Sequence, residues 1–254
     1  MRVIVLGCGG SLGVPMIGNV WGECDPANPR HPRRRPSIIV ETATTRILVD
    51  TSPDLREQLL DAEVDRIDAV LFTHAHADHT HGVDDLRALT FRTGGPIPAF
   101  ADATTIDLLE RRFGYVMDSI AMDRGLYAPY LTPHVIDGPF RVGDIEVVPF
   151  LQGHGAVNSL GFRFGPFAYS TDAATLDEEA FRVLEGTKVW IVDACREKPH
   201  PSHAHVGLAL EWIARVQPDR AYLTHMNHTL DYEKLKARLP DHVLPAHDGL
   251  VIEI

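Results

Sequence analysis

The stretch Ala69-Val70-Leu71-Phe72-Thr73-His74-Ala75-His76-Ala77-Asp78-His79 joins an apolar run to a dense group of metal-ligand side chains. The apolar run is typical of a buried strand. His74 and His76 are two residues apart in what should be extended chain, so both imidazoles point to one side and meet one ion. Asp78 and His79 follow where a helix begins, and they face a second ion. The stretch therefore predicts a metal centre at the carboxyl end of a strand.

Three further His or Asp residues come after later strands. A metal centre that also admits water needs additional protein ligands around an open position. His154 follows a strand that we predict to end at Phe150, Asp172 follows a strand ending at Ser170, and His225 ends the run Tyr222-Leu223-Thr224-His225. Each residue alone is also consistent with a hydrogen-bonded turn. Their shared position after strands favours metal ligation.

The composition is that of a globular protein. Of 254 residues, 44% are hydrophobic and 23% are charged, which lies within the ordinary range. The sequence holds no repeat or Ser/Gly-rich linker, so we predict one domain over residues 1–254. Met1-Arg2 runs directly into an apolar strand rather than a secretory signal, and no apolar run reaches the roughly 18 to 20 residues that cross a bilayer. We therefore expect a cytoplasmic protein with no membrane partner.

Net charge and cysteine spacing exclude several classes of protein. The formal charge of -11 disfavours a nucleic-acid polymer as partner, because binding to phosphates rests on clustered Lys and Arg. Cys8, Cys24 and Cys195 are far apart and form no CxxC pair, so they indicate neither a disulfide framework nor a four-cysteine zinc site. We interpret them as buried small side chains.

The rest of the chain alternates short strand signals with helical ones. We predict strands over Val3–Leu6, Ser37–Glu41, Arg46–Asp50, Ile145–Phe150, Gly161–Phe164, Phe167–Ser170, Val189–Asp193, Ala221–Leu223 and Leu250–Ile254. We predict helices over Leu55–Leu60, Thr104–Phe113, Leu176–Leu184, Val206–Val216 and Tyr232–Leu239. Two β-rich halves with helices between strands fit two sheets packed face to face under outer helices. The stretch from Gly114 to Pro133 has mixed signals and is our candidate for an insertion on the substrate side.

The HxHxDH run, followed by a His, an Asp and a last His after separate strands, resembles the metallo-β-lactamase superfamily over nearly the whole chain. Three segments are similar to the phosphoribosyl cyclic phosphodiesterase family associated with carbon–phosphorus lyase. They are Gly7-Cys8-Gly9-Gly10-Ser11-Leu12-Gly13-Val14-Pro15, Pro199-His200-Pro201-Ser202-His203 and Leu223-Thr224-His225-Met226-Asn227-His228. The tRNA 3′-processing endonucleases are more distant relatives. The resemblance implies an α/β fold, a four-layer αββα sandwich with its site at one edge between the sheets.

The resemblance also implies how the ligands are shared between two divalent ions. His74, His76 and His154 would hold one ion, Asp78, His79 and His225 the other, and Asp172 would bridge them. Such ligands accept Zn or Mn, with Fe as a further option. Asp78 is also a predicted catalytic residue. Asp50, which ends a strand, matches the superfamily's first acidic position and would support the metal loop from behind. A simple turn cap is its alternative reading.

Two segments beyond the ligands are expected to meet substrate. By chemistry alone, the segment from Pro199 to His205 leaves His200, His203 and His205 as equal candidates. The resemblance selects His203 as general acid or charge stabiliser beside a scissile phosphate. Arg33, Arg34 and Arg35, in a locally basic loop that also holds Arg30, are candidates to anchor a terminal phosphate. A solvated loop is the alternative for these arginines.

One departure from the family affects a second zinc site. The family's cyclic phosphodiesterase carries a structural zinc on closely spaced cysteines near the N-terminus and on a histidine shortly after the last catalytic His. This sequence keeps His228, but the loop from Gly18 to Cys24 retains a single thiol. A closed zinc site usually needs four protein ligands, so we expect none here.

The expected activity is hydrolysis of a small phosphodiester by a hydroxide that two metal ions activate. The substrate class includes cyclic phosphates, such as phosphoribosyl 1,2-cyclic phosphate, and nucleotide-type diesters. The alternatives are an RNA-processing nuclease of tRNase Z type, a thioesterase or lactamase, and a non-enzymatic carrier resembling the pyrroloquinoline quinone biosynthesis B protein. The acidic charge disfavours the nuclease, and an intact ligand set with His203 disfavours the carrier. A small phosphorylated molecule is the expected partner, and a homodimer is left open.

Overall fold

The computed structural model describes residues 1–117 and 129–254. Within them, strands assemble into two sheets of seven. The first sheet consists of β1 (Arg2–Gly7), β2 (Ser37–Glu41), β3 (Arg46–Val49), β4 (Ala69–Leu71), β5 (Ile97–Ala101), β6 (Leu131–Val135) and β14 (Val251–Glu253). The second consists of β7 (Phe140–Val142), β8 (Ile145–His154), β9 (Val157–Phe164), β10 (Phe167–Ser170), β11 (Val189–Asp193), β12 (Arg220–Thr224) and β13 (Val243–Pro245).

Each sheet is antiparallel at one side and parallel at the other. The order of the first is β14-β1-β2-β3-β4-β5-β6, and that of the second is β13-β12-β11-β10-β9-β8-β7. The pairs β3/β4, β4/β5 and β5/β6 are parallel, and so are β10/β11, β11/β12 and β12/β13. Because parallel strands end at the same edge of a sheet, the loops that follow them come together.

Helices connect the strands and cover the outer faces. They are α1 (Leu55–Asp61), α2 (Ala77–Thr80), α3 (Arg87–Thr93), α4 (Ala103–Met117), α5 (Glu178–Leu184), α6 (Val206–Val216) and α7 (Tyr232–Lys236), with a 3₁₀ turn at Val83–Leu86. Several begin at an acidic cap, as α5 does where Asp177 accepts a hydrogen bond from the Ala180 amide at 2.8 Å. No described helix is long and apolar enough to span a membrane.

The alternation of side chains along β1 shows how the layers form. Val3 and Val5 pack into the core between the two sheets, whereas Ile4 and Leu6 pack beneath the helices on the outer face of the first sheet. Successive side chains of a strand point to opposite faces, so a strand that is apolar at every position is buried on both sides. The predicted αββα sandwich is confirmed.

Three local predictions need correction. Strand β8 does not end at Phe150 but continues to His154, which is therefore the last residue of a hairpin strand. Helix α4 continues past the predicted end to Met117, with non-helical backbone at Phe113. Of the predicted insertion, residues 114–117 end α4 and 131–133 belong to β6, while 118–128 lie outside the described residues.

Four strands escaped prediction, namely β5, β6, β7 and β13. Proline lowers the strand signal because it lacks the amide that pairs in a sheet, and Pro98, Pro133 and Pro245 lie within three of these strands. Strands β6 and β13 are edge strands of their sheets, where an unpaired position is tolerated. Strand β7 has only three residues, Phe140–Val142.

Phe150 and Leu151 offer a matched test of the layer assignment, because they are adjacent on β8 and face opposite sides. Phe150 is 4% exposed and its ring lies over Gly161, where a Cβ atom would come within 2.2 Å of it, whereas Leu151 is 52% exposed. We expect Phe150→Ala to lower the free energy of unfolding by about 3–5 kcal/mol and Leu151→Ala by less than about 0.5 kcal/mol. Urea denaturation measures both, and equal losses would contradict the assignment.

Candidate metal centre

Seven ligand-type side chains meet where the carboxyl ends of strands from both sheets converge. From the first sheet, the loop after β4 carries His74 and His76, and α2 carries Asp78 and His79. From the second sheet come His154 at the end of β8, Asp172 after β10 and His225 after β12. The structure thus brings together all the ligands predicted from the sequence.

One group of ligand atoms comes from His74, His76, His154 and Asp172, and these atoms lie within 4.8 Å of one another. The Nδ1 atom of His76 is 2.8 Å from His74 Nε2 and 3.2 Å from His154 Nε2. Asp172 Oδ1 lies 3.5 Å from His154 Nε2 and 3.9 Å from His74 Nε2. Three imidazole nitrogens and one carboxylate oxygen therefore face a common point.

A second group consists of Asp78, His79, Asp172 and His225, again within 4.8 Å. Asp172 Oδ2 is 3.0 Å from His79 Nε2 and 3.3 Å from His225 Nε2. Asp78 Oδ2 is 3.4 Å from His79 Nε2 and 3.5 Å from His225 Nε2. Because the two oxygens of Asp172 face different groups, its carboxylate joins them.

In two of the histidines, His79 and His154, the outer nitrogen is held by a protein acceptor. His79 Nδ1 donates to Asp50 Oδ2 at 2.7 Å, and Asp50 also accepts the Thr73 amide at 2.8 Å and the Thr73 hydroxyl at 2.9 Å. His154 Nδ1 donates to the carbonyl of Ser202. When the Nδ1–H group of a ring donates outward, the lone pair on Nε2 of the same ring faces inward, as metal-binding histidines require. The predicted contact of Asp50 behind the metal loop is present.

Helix α4 also supports the metal loop, a contact that the sequence did not indicate. The Arg112 guanidinium donates a hydrogen bond to the carbonyl of Ala75, between His74 and His76. Phe113 packs edge-on against His81, with ring centroids 5.6 Å apart, just after α2. The backbone that carries four of the ligands is therefore fixed from the outer layer as well.

The unpaired atoms of the site fit divalent ions. His79 Nε2 and both ring nitrogens of His225 are buried without a hydrogen-bond partner, although buried polar atoms are normally paired. Burial opposes a charge on His79, yet Asp172, Asp78 and Asp50 together hold its pKa well above the ordinary value. Burial likewise opposes ionisation of Asp172, but His225 and His79 hold its pKa well below the ordinary value. Imidazole and carboxylate donors suit Zn, Mn or Fe.

Three residues of the site have left-handed backbone. The φ angles of Asp50, Asp172 and His225 are 64°, 54° and 58°. Asp and His are among the non-glycine residues that adopt this region more often than others. Such backbone costs on the order of 1–3 kcal/mol each and persists where the surroundings impose it. Here it turns each strand end so that the side chain points toward the centre.

His203 lies beside both ligand groups. Of the other two histidines of its segment, His200 packs against His203, with ring centroids 5.1 Å apart, and neither of the two belongs to a ligand group. The ring centroid of His203 is 4.7 Å from that of His154 and 4.6 Å from that of His225, with which it stacks. His205 caps α6 by accepting the Leu208 amide at 3.3 Å. His200 Nδ1 faces the Ser202 amide at 3.2 Å. The geometry therefore favours the choice of His203, whose catalytic role stays a prediction.

Asp193 is a site residue that the sequence reasoning missed. It is the last residue of β11, and its Oδ2 atom lies 3.0 Å from His203 Nδ1 and accepts the Ala173 amide at 2.9 Å. The available signal was its position at a strand end, which it shares with Asp172 and His225. Asp193, His203 and His225 also form a third group whose ligand atoms lie within 4.8 Å, so metal content must be measured when His203 is changed.

The three predicted substrate arginines differ in position. Arg33 is 1% exposed, and its guanidinium donates to the carbonyls of Asn227 at 3.0 Å and Leu230 at 2.7 Å. It is therefore a buried link between loops, which corrects its predicted contact with a phosphate. Arg34 pairs with Asp61 at 2.6 Å on the protein surface. Arg35 pairs with Asp54 at 2.9 Å and lines a cavity that also touches Asp78. Contact of Arg34 and Arg35 with substrate stays a prediction.

The thiol of Cys24 is enclosed by polar atoms of the protein. It lies 3.6 Å from the carbonyl of His228, 3.5 Å from that of Leu230 and 3.8 Å from Arg33 Nη1. Burial raises the pKa of this thiol. The Arg33 guanidinium thus supplies positive charge where the loop after His225 meets the N-terminal loop.

The comparisons with known proteins agree with this arrangement. Residues 45–226 match the family model described as the beta-lactamase superfamily domain. The chain belongs to the metallo-β-lactamase superfamily. Among solved structures, this superfamily member resembles a diphosphatase from the PhnP family, with 34% identity, 100% of this chain and 97% of that chain covered, and a TM-score of 0.91. The predicted resemblance to the superfamily, and to its PhnP-like branch, is confirmed.

Two curated relatives share parts of their length with this superfamily member. An octanoyltransferase from Porphyromonas gingivalis strain W83 is 34% identical over 98% of the chain and 51% of its own length. A ribonuclease Z from Bradyrhizobium sp. strain ORS 278 is 30% identical over 54% of the chain and 46% of its own length. The chain spans about half the length of these relatives.

Metal content tests the ligand assignment. We expect two divalent ions per chain, and we expect Asp172→Asn to lose at least one, because its carboxylate faces both ligand groups. Asp193→Asn is the matched control and should keep both, since Asp193 faces His203. Elemental analysis of dialysed protein measures this, with circular dichroism to verify folding. Two ions retained in Asp172→Asn, or an extra zinc that is lost with Cys24→Ser, would contradict the assignment.

Proposed function

We propose that this hydrolase of the metallo-β-lactamase fold cleaves small phosphodiesters, including cyclic phosphates and nucleotide-type diesters, and also the phosphoanhydride bond in diesters of diphosphate. The observation that carries the proposal is the pair of ligand groups joined by Asp172, with His203 and Asp193 beside them. Two adjacent divalent ions are a recurrent means of hydrolysing phosphate esters. The similarity to a diphosphatase of the PhnP family supports phosphorus rather than carbon as the centre attacked.

Different residues of the site serve different parts of this reaction. Divalent ions held by the two groups would make a water nucleophilic at neutral pH and offset the charge of the phosphate. Asp78, a member of the second group, would help to hold the ion there and to orient the phosphate beside it. His203 lies where a leaving oxygen needs a proton. Its Nδ1 atom donates to Asp193 at 3.0 Å, which fixes the ring and leaves Nε2 free to donate.

Two other activities follow from the relatives and are less well supported. A ribonuclease Z matches about half of the chain, but the net charge of -11 opposes binding of a long polyanion. The octanoyltransferase name belongs to a protein of which the chain spans 51%, and it motivates octanoyl esters and thioesters as assay substrates. A pure carrier role would leave the pair formed by His203 and Asp193 without a reaction to serve.

Substrate class is tested with a panel at fixed ionic strength. We expect turnover of bis(p-nitrophenyl) phosphate, phosphoribosyl 1,2-cyclic phosphate, cyclic nucleotides or a dinucleoside diphosphate. We expect much slower cleavage of precursor tRNA, because the acidic surface repels it while the centre still attracts one phosphate. Asp172→Asn is the control for contaminating enzymes. Comparable cleavage rates on precursor tRNA and on a small diester would contradict the proposal. Turnover confined to octanoyl esters would contradict it as well.

The role of His203 is tested by comparing leaving groups. His203→Ala should keep its metals and fold, while turnover of an alkyl diester falls about 10² to 10⁴-fold, the usual contribution of a general acid. The loss should be smaller for p-nitrophenolate, which leaves without a proton. Asp193→Asn should give the same pattern in weaker form.

His200→Ala serves as the comparison, because His200 packs against His203 without joining a ligand group. It should keep the wild-type dependence on the leaving group. Loss of metal in His203→Ala would indicate that His203 is a metal ligand and would contradict the proposed role. An equal loss on both leaving groups would make it a residue that binds phosphate.

A further inference from the structure

An apolar cavity of about 510 Å³ opens beside the second ligand group. Its lining includes Leu12, Met16, Ile17 and Pro53, and Ala77 and Asp78 of α2 close one end. Asp78 therefore borders both the cavity and the centre. A non-reacting part of a molecule bound at the centre can therefore reach this cavity.

The loop that forms the cavity presents large apolar side chains to solvent. Leu12 is 67% exposed and Ile17 is fully exposed at 101%. Exposed apolar residues that cluster next to a ligand site commonly belong to that site. Folding alone gives no reason to leave them outside the core, so their position suggests contact with a bound molecule.

The same loop is held in place by backbone hydrogen bonds. Val14 and Arg33 exchange two bonds of 2.8 Å, and the Met16 amide donates to the Val20 carbonyl at 3.0 Å. Arg33 is in turn fixed through its buried guanidinium to the carbonyls of Asn227 and Leu230. The cavity is therefore formed before substrate arrives, which lowers the entropy lost on binding.

We infer that this cavity binds an aliphatic chain of the substrate, so that the preferred substrates are phosphodiesters with an alkyl or acyl group. This inference rests on the proposed function. Apart from Ser11, Arg35 and Asp78, the side chains that line the cavity among the described residues are aliphatic or thioether groups, and none of them is an aromatic ring on which a nucleobase would stack.

The polar groups at the cavity are also too few for a nucleobase. Ser11 lies at its rim, and the Arg35 guanidinium is already paired with Asp54 at 2.9 Å. A base would lose water from several donors and acceptors without replacing those hydrogen bonds. An alkyl chain has no such groups, and its burial is favourable over the whole length that fits.

A homologous series of p-nitrophenyl alkyl phosphodiesters tests the inference. Water adds at phosphorus, p-nitrophenolate leaves, and the alkyl phosphate monoester remains, so the methyl, butyl and octyl compounds differ only in chain length. We expect kcat/KM to rise by up to about fourfold per methylene and to level off once the chain fills the cavity. Ile17→Ser and Leu12→Ser should flatten this rise, so that the ratio of the octyl to the methyl kcat/KM falls toward one in both variants.

Val251→Ser is the matched control, because Val251 is also exposed but lies in β14. It should keep the wild-type rise with chain length. Equal rates on the methyl and octyl compounds would overturn the inference and leave the proposed function standing. Faster cleavage of thymidine 5′-p-nitrophenyl phosphate than of the octyl compound would also overturn it.

If no diester is cleaved, a binding measurement still distinguishes failure of the proposed function from failure of the aliphatic-chain inference. The absence of turnover removes the proposed function, and titration calorimetry then compares octyl phosphate with methyl phosphate. Octyl phosphate that binds no more tightly overturns the inference. Analytical ultracentrifugation adds one further test. If the wild type is a dimer and Ile17→Ser is a monomer, this surface is an interface between two copies, and the inference is overturned.

Discussion

The buried carboxylate of Asp172 faces imidazoles that arrive from both sheets, and this polar contact constrains the whole edge of the sandwich. One oxygen lies 3.5 Å from His154 and 3.9 Å from His74, and the other lies 3.0 Å from His79 and 3.3 Å from His225. A charge taken out of water is tolerated when opposite charges and hydrogen bonds compensate it. The strand ends must therefore converge closely, and the left-handed backbone at several of them is one cost of that convergence.

The sequence was sufficient for the features that depend on local pattern. Apolar runs predicted most of the inner strands, and ligand-type residues after strands predicted seven side chains that do meet. Features that depend on partners distant in the chain could not be predicted from the sequence. Arg33 lies in a basic stretch and looks solvated, yet its partners Asn227 and Leu230 are 194 and 197 residues away. In the sequence, nothing distinguishes Asp193 from other carboxylates at strand ends, because its contact with His203 exists only in the folded chain.

The N-terminal loop links the apolar cavity to the last ligand. Cys8 accepts the Met226 amide at 2.9 Å, immediately after His225, and Gly10 is close enough that a Cβ atom there would lie 3.3 Å from the His225 carbonyl. The loop that presents Leu12 and Ile17 is thus fastened to the backbone of a residue at the centre. A deletion in this loop would therefore act on ligand geometry as well as on the cavity, whereas a side-chain substitution leaves these backbone bonds in place.

The division of the ligands between the two sheets has a thermodynamic consequence. Neither sheet offers a complete set by itself, so ions that bind the assembled edge favour the folded chain over the unfolded one by mass action. The melting temperature then depends on the free ion concentration as well as on the core. In a cell, scarcity of the metal would increase the fraction of unfolded chain that proteases remove. The abundance of the protein would thereby follow metal supply without any dedicated sensor.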